Sequence, residues 1–312
     1  MKHAEDLRWH KNLTAADLVD QYENVGFQSV NVARAAEAIT RMYRADAKIF
    51  LTFTSNMVTS GLRGFFAQLI ELGIVDGVVT TVGGLEEDIM KASGEKFSIG
   101  RFTEDDVELY ENGINRVGNL LVQNESYMKF EDKMKPLLTK AYEKKNRWTP
   151  SDLFEFIGET LTDKHSILYQ AQKQDVPVFC PAITDGSFGF HLYLFQQNHD
   201  DFVIDVVKDF KNIVQTTTHE DKKGVIALGG SISKHHALLA CLLNGGIDYA
   251  VYMTTAKSTS GSMSGATTKE AKSWGKIKDD SDAATVHGDV SITFPLVMSK
   301  VLQTLHREGH IE

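Results

Sequence analysis

Two residue types in this 312-residue chain stand where they could carry covalent chemistry. The first is Lys276, in Ser273-Trp274-Gly275-Lys276-Ile277. A lysine ordinarily keeps its ammonium in water and lays only its stem on apolar surface. If burial strips that hydration, the neutral amine is favoured and becomes a nucleophile able to form a Schiff base. The second is His235, which follows Gly229-Gly230 and is expected near the start of a helix spanning about 235–243. The positive end of a helix depresses an imidazole's pKa, which suits a neutral proton acceptor. The adjacent His236 reads as a packing or capping residue. Glycine pairs in Val82-Gly83-Gly84 and Leu228-Gly229-Gly230 would let backbone approach a phosphate or ribose, and Asp185 and Asp289 could accept from ribose hydroxyls. A lysine nucleophile, a neutral histidine and a nucleotide crevice together suit oxidation of an amine to an imine, followed by transfer onto lysine. Each feature alone has a plainer reading: a surface lysine, a capping histidine, ordinary βα turns without the full G-x-G-x-x-G spacing.

The elements that must hold these residues follow from hydrophobic patterning. Short β-branched runs alternate with amphipathic stretches, which predicts an α/β fold: a Rossmann-like parallel sheet flanked by helices. An N-terminal helical section (1–46) precedes the first strand at Lys48–Phe53, which ends in Thr54-Ser55-Asn56. Further strands are expected at Gly77–Thr81, Val176–Cys180, Gly224–Leu228, Asp248–Met253 and around Thr285–His287. The polar middle, from about Ala92 to Gln174, reads as helices and loops, with Glu111–Arg116 as a turn-rich connector. No linker or repeat divides the chain, so a single domain over 1–312 is expected. Nearly every strand ends in Gly, Ser, Thr, Asn or Asp, at the edge where open α/β sheets bind ligands.

Bulk composition narrows the classes. With 42% hydrophobic and 24% charged residues the chain has the makeup of a globular protein. A net charge of −9 argues against a nucleic-acid binder and suits a cationic substrate. Cys180 and Cys241 have no metal-ligand spacing, so neither a metal site nor a disulfide framework is expected. The sequence shows no signal core and no membrane-spanning run, and a cytoplasmic location is expected.

From about Leu13 onward the sequence resembles the deoxyhypusine synthase family. The resemblance is carried by Thr54-Ser55-Asn56, the run Thr80–Asp88 (TTVGGLEED), Glu111–Arg116 (ENGINR), Pro181–Ser187 (PAITDGS), Lys234-His235-His236, and the block from Ser264-Gly265-Ala266 to Ser273-Trp274-Gly275-Lys276. It implies an NAD-dependent transferase that oxidises spermidine, holds the butylamine portion as an imine on Lys276, and passes it to a lysine of the hypusine-containing translation factor. By the same resemblance His235 is the proton-transfer histidine, Trp274 walls the amine channel and Glu270 helps anchor the polyamine. The NAD site is implied at Ser55, Thr81, Gly83, Glu87, Asp185, Gly229, Thr255, Ala256, Ser264 and Asp289. A homotetramer is implied as well.

Three positions depart from the eukaryotic pattern of the family. Phe190 and Met263 stand where those enzymes carry amine-binding aspartates, and Leu239 stands where they carry an asparagine. A buried ammonium that loses its carboxylate partner loses several kcal/mol, of the order of ~3–5, so amine recognition here is expected to differ. An aminobutyl transfer to a free diamine, as in a homospermidine synthase-like enzyme, and a non-catalytic NAD-binding protein are the alternatives.

Overall fold

The computed structural model describes residues 3–312. In chain order the elements are α1 (Ala15–Tyr22), α2 (Gln28–Arg44), β1 (Lys48–Phe53), α3 (Ser55–Thr59), α4 (Arg63–Glu71), β2 (Gly77–Thr80) and α5 (Val82–Ala92). Then come β3 (Ser98–Ile99), α6 (Asp106–Glu111), β4 (Ile114–Val117), β5 (Leu120–Gln123), α7 (Asn124–Lys144), β6 (Arg147–Trp148), α8 (Pro150–Glu159) and α9 (Ile167–Lys173). The remainder is β7 (Val178–Phe179), α10 (Ser187–Gln196), β8 (Val203–Ile204), α11 (Val206–Gln215), β9 (Lys223–Leu228), α12 (Ser231–Leu242), β10 (Ile247–Thr254), α13 (Thr268–Ser273), β11 (Ile277–His287) and α14 (Val290–Arg307). They form two compact units, one comprising Thr54–Gly73 with Val78–Asn212 and the other the rest of the described chain.

The unit containing both chain ends is built on a parallel sheet in the order β11-β10-β9-β1. Every residue of β9 is buried, as are five of the six in β1, which is what a sheet covered on both faces requires. The covering helices are α2, α12 and α14, and α1 packs against α2 and α14. The N-terminal helical section is therefore real and amphipathic: α2 buries Val32, Ala35, Ala36, Ile39 and Met42. Register places Leu228 of β9 beside Met253 of β10, and Thr254 beside His287 of β11. The carboxyl ends of three neighbouring strands thus lie at one edge.

Two boundaries differ most from the sequence expectation. α12 begins at Ser231, not near His235, because its N-cap is Gly230 with no capping side chain, so no start signal is written there. β11 starts at Ile277 and admits Asp279, Asp280 and Ser281, since its register on β10 jumps between the Ile247 and Tyr249 pairings.

In the other unit β2 and β7 pair in parallel, and α4 packs on α9 and α3 on α5. The turn-rich connector is in fact structured: Glu111 ends α6, and Ile114–Val117 is a strand of an antiparallel sheet in the order β3-β5-β4. Its strands are half exposed and carry no long apolar run, which is why patterning overlooked them.

Candidate active site

Lys276 precedes β11 directly and is only 8% exposed. Its backbone is pinned on both sides: its N–H donates to Ala271 O at 3.1 Å, and its carbonyl accepts from Ile247 N at 3.0 Å. Its Nζ stands 5.5 Å from the Trp274 ring centroid, within cation–π range. Trp274 closes α13 and is 69% exposed. Lys276, Trp274, Glu270 and Met263 line one narrow cavity of about 20 Å³, room for roughly one water. Leu238, not Leu239, lines it from α12. Leu239 is half-buried, one residue round the helix.

The same cavity holds a second lysine. Lys234 is fully buried, and its Nζ donates to the carbonyls of Met263 at 3.1 Å and Ala266 at 2.8 Å. It also sits 3.9 Å above the ring of buried Tyr252. Burial lowers its pKa to about 8, the Glu270 carboxylate working against that shift and Lys276 with it. Lys234 was visible in the sequence only as part of a motif. Its i, i+4 relation to Leu238 on α12 was the available signal that it faces inward. His235, half-buried, has its pKa lowered by burial and by the positive charge of Lys276. His236 is pushed to about 4 by burial and by His235.

At the carboxyl edge of the sheet, Gly229 N donates to Met253 O at 2.8 Å and Gly288 N to Thr254 O at 3.0 Å. Gly229, Thr255, Ala256 and Asp289 are therefore brought to one edge. Ser264 joins them by accepting from Ser231 N at 3.2 Å. A Cβ on Gly230 would lie 2.3 Å from Ser264 Cα, so the backbone there runs closer than any side chain permits. Gly230 supplies no capping side chain to α12, whose first amide, Ser231 N, is instead taken by the Ser264 hydroxyl. Asp289 caps α14 through Ser291 N at 2.8 Å.

In the second unit Ser55, Thr81 and Gly83 cluster where α3 and α5 begin. Ser55 N donates to Thr81 Oγ1 at 3.0 Å, and a Cβ on Gly83 would fall 2.9 Å from Ser55 Cβ. Glu87 is buried and accepts from Thr59 Oγ1 at 2.7 Å. Burial raises its pKa to about 7, against the pull of Thr59 and Lys91. Neighbouring Asp88 is fully buried and accepts from Arg63 Nε at 2.5 Å, Ser166 Oγ at 2.7 Å and the amides of Ile167 and Leu168. That set anchors the start of α9 on α5. Asp185 is exposed just before α10, and Phe190 on α10 is 55% exposed.

The fold is that of an α/β protein with a parallel sheet flanked by helices, and Lys234 and Lys276 line one cavity in it. The sequence model of deoxyhypusine synthase matches residues 17–301, spanning both units. A chain from Thermoplasma volcanium assigned as a deoxyhypusine synthase is 39% identical over 303 residues, covering 96% of this chain and 97% of its own. The deoxyhypusine synthase of Senecio vernalis is 37% identical over 322 residues, covering 94% and 86%. Among solved structures, a protein from Entamoeba histolytica assigned as a deoxyhypusine synthase matches with TM-score 0.70 and 30% identity, covering 95% of this chain and 97% of that one. AgrE, solved with ornithine and NAD+, has TM-score 0.57 at 12% identity, covering 89% of this chain and 33% of its own, a likeness of fold alone. The chain belongs to the deoxyhypusine synthase family, and it is a transferase. Among the described residues no helix is long and apolar enough to cross a membrane.

Proposed function

We propose that this chain transfers the aminobutyl group of spermidine, or of a related polyamine, by way of an imine on Lys276 to a lysine of the hypusine-containing translation factor, with NAD as cofactor. The observation that carries this reading is the buried Lys276, whose amine shares a cavity with the Trp274 face and the Glu270 carboxylate. A polyamine needs such a set: a π face and a carboxylate for its charged nitrogens, and a shielded amine beside the carbon that reacts.

Within each unit taken by itself, the residues implied for the dinucleotide have chemistry that suits it. In the unit that holds both chain ends, the start of α12, the close backbone at Gly230 and the polar ends at Thr255, Ala256, Ser264 and Asp289 suit phosphate and ribose. In the second, Ser55, Thr81, Gly83, Glu87 and Asp185 offer hydroxyls, close backbone and carboxylates. NAD, when bound, accepts a hydride from the amine carbon and later returns it. His235, kept neutral by burial and by Lys276, takes the proton that leaves the amine nitrogen. The Lys276 amine then adds to the C=N carbon, and 1,3-diaminopropane departs as the C–N bond to it breaks. The acceptor lysine repeats that exchange, displacing Lys276. Glu270 and Trp274 hold the cationic ends throughout. The working protein is a cytoplasmic homotetramer in this reading.

Incubation with NAD and spermidine, borohydride trapping and peptide mass spectrometry test the proposal. A butylamine adduct on Lys276, absent from Lys276→Ala, is expected. No adduct with spermidine or any other polyamine would refute it. Separate assays with the translation factor and with free diamines distinguish a protein acceptor from a homospermidine-forming one.

A further inference from the structure

Glu86 belongs to none of the contacts above, yet it is 94% buried beside Glu87 and Asp88 on α5, being 6% exposed. Its carboxylate reaches the start of α10: Oε2 accepts from Phe188 N at 2.9 Å, and Ser187 N also hydrogen-bonds to the group. Oε2 lies 3.0 Å from where a Cβ on Gly186 would be. Gly186 is the N-cap of α10 and supplies no capping side chain.

The residues around that cap make this unusual. Thr184, Asp185 and Ser187 are all types that cap helices well. None of their side chains takes up an amide of α10, because Glu86 already holds them. Among the described residues the Asp185 carboxylate accepts no hydrogen bond, and it is exposed. A carboxylate that ordinarily turns back onto its own helix is instead left free.

We infer that Glu86 is a positioning residue: by capping α10 from α5, it keeps the Asp185 carboxylate available to a ligand and fixes the helix that carries Phe190. The inference rests on the reading in which Asp185 contacts NAD. Removing Glu86 frees two amides at the start of α10, and Asp185 is the nearest carboxylate in sequence to occupy them. Asp185 is then drawn away from the ligand towards amides that it holds less firmly than Glu86 does. Glu86→Gln retains a carbonyl oxygen for the amides and rescues.

The test is a double-mutant cycle on NAD affinity, with amide exchange at Ser187 and Phe188 as a readout free of ligand. Glu86→Ala is expected to speed exchange at these amides and to weaken NAD binding roughly tenfold, the loss expected for one hydrogen bond to the Asp185 carboxylate. Glu86→Gln is expected within about threefold of wild type. In an Asp185→Ala background, Glu86→Ala is expected to cause no further loss of affinity. Equal losses in both backgrounds would overturn the inference, showing a merely structural effect. So would unchanged exchange at Ser187 and Phe188. If the wild-type protein bound no NAD, the proposed function would fail, while amide exchange would still decide whether Glu86 holds α10.

Discussion

Replacing Lys234 by methionine should alter stability in a way that depends on pH. The buried ammonium is disfavoured: its pKa falls from an ordinary 10.5 to about 8, a gap worth about 3 kcal/mol. In the folded protein the pKa lies below its unfolded value. Below pH 8 the lysine is charged in both states and the full penalty applies. Between about pH 8 and 10.5 the unfolded chain binds more protons, so stability rises with pH until the penalty is gone. Methionine fills similar volume without a charge. It also leaves the carbonyls of Met263 and Ala266 without their donor, at about 1–2 kcal/mol each and independent of pH. At pH 7 the two effects nearly cancel, and Lys234→Met should lie within about 1 kcal/mol of wild type. Near pH 10 the variant should be less stable by about 3 kcal/mol. Urea unfolding of both proteins from pH 7 to 10 measures the difference, in which titrations common to both cancel. A difference that does not change with pH would refute the burial of a charged Lys234 as the cause of its shift.

Two other outcomes follow from the same geometry. Glu87 has a raised pKa, about 7 against an ordinary 4.5, so the folded state holds the extra proton in that window and loses stability as pH rises through it. Glu87→Gln should therefore gain on wild type by up to about 3 kcal/mol between pH 4.5 and 8; thermal unfolding showing the same gain at both pH values would rule this out. Gly230→Ala places a methyl 2.3 Å from Ser264 Cα, and should cost about 1–3 kcal/mol by overpacking while weakening NAD binding. Chemical denaturation and NAD titration of the variant check it, and a variant matching wild type in both would mean that the Ser264 segment yields freely.

Much of the sheet was legible because burial on both faces demands continuous apolar, β-branched runs. Lys48–Phe53 was read with the bounds it has, and the strands at Gly77, Gly224 and Asp248 came within a residue. The β3-β5-β4 sheet was not, since its strands of two to four largely exposed residues tolerate polar side chains and leave no run to read. The start of α12 was missed because Gly230 offers no capping side chain.

The candidate site divides in the same way. Lys276, Trp274, Glu270 and Met263 lie within fourteen residues of one another in sequence, and it is the family resemblance of that block, not its spacing, that groups them in one site. What sequence could not decide is which polar residues lose their water. Lys234 becomes a buried cation only because Tyr252, the carbonyls of Met263 and Ala266, and Ala271 of α13 gather around it. Three consecutive carboxylates on α5 likewise look equivalent in sequence. Glu86 reaches the amides of α10, Glu87 the hydroxyl of Thr59, and Asp88 the start of α9 together with Arg63. Residue type and order set the chemistry these groups are capable of; desolvation and hydrogen-bond partners, which depend on segments distant in the chain, decide their charge and what each one holds.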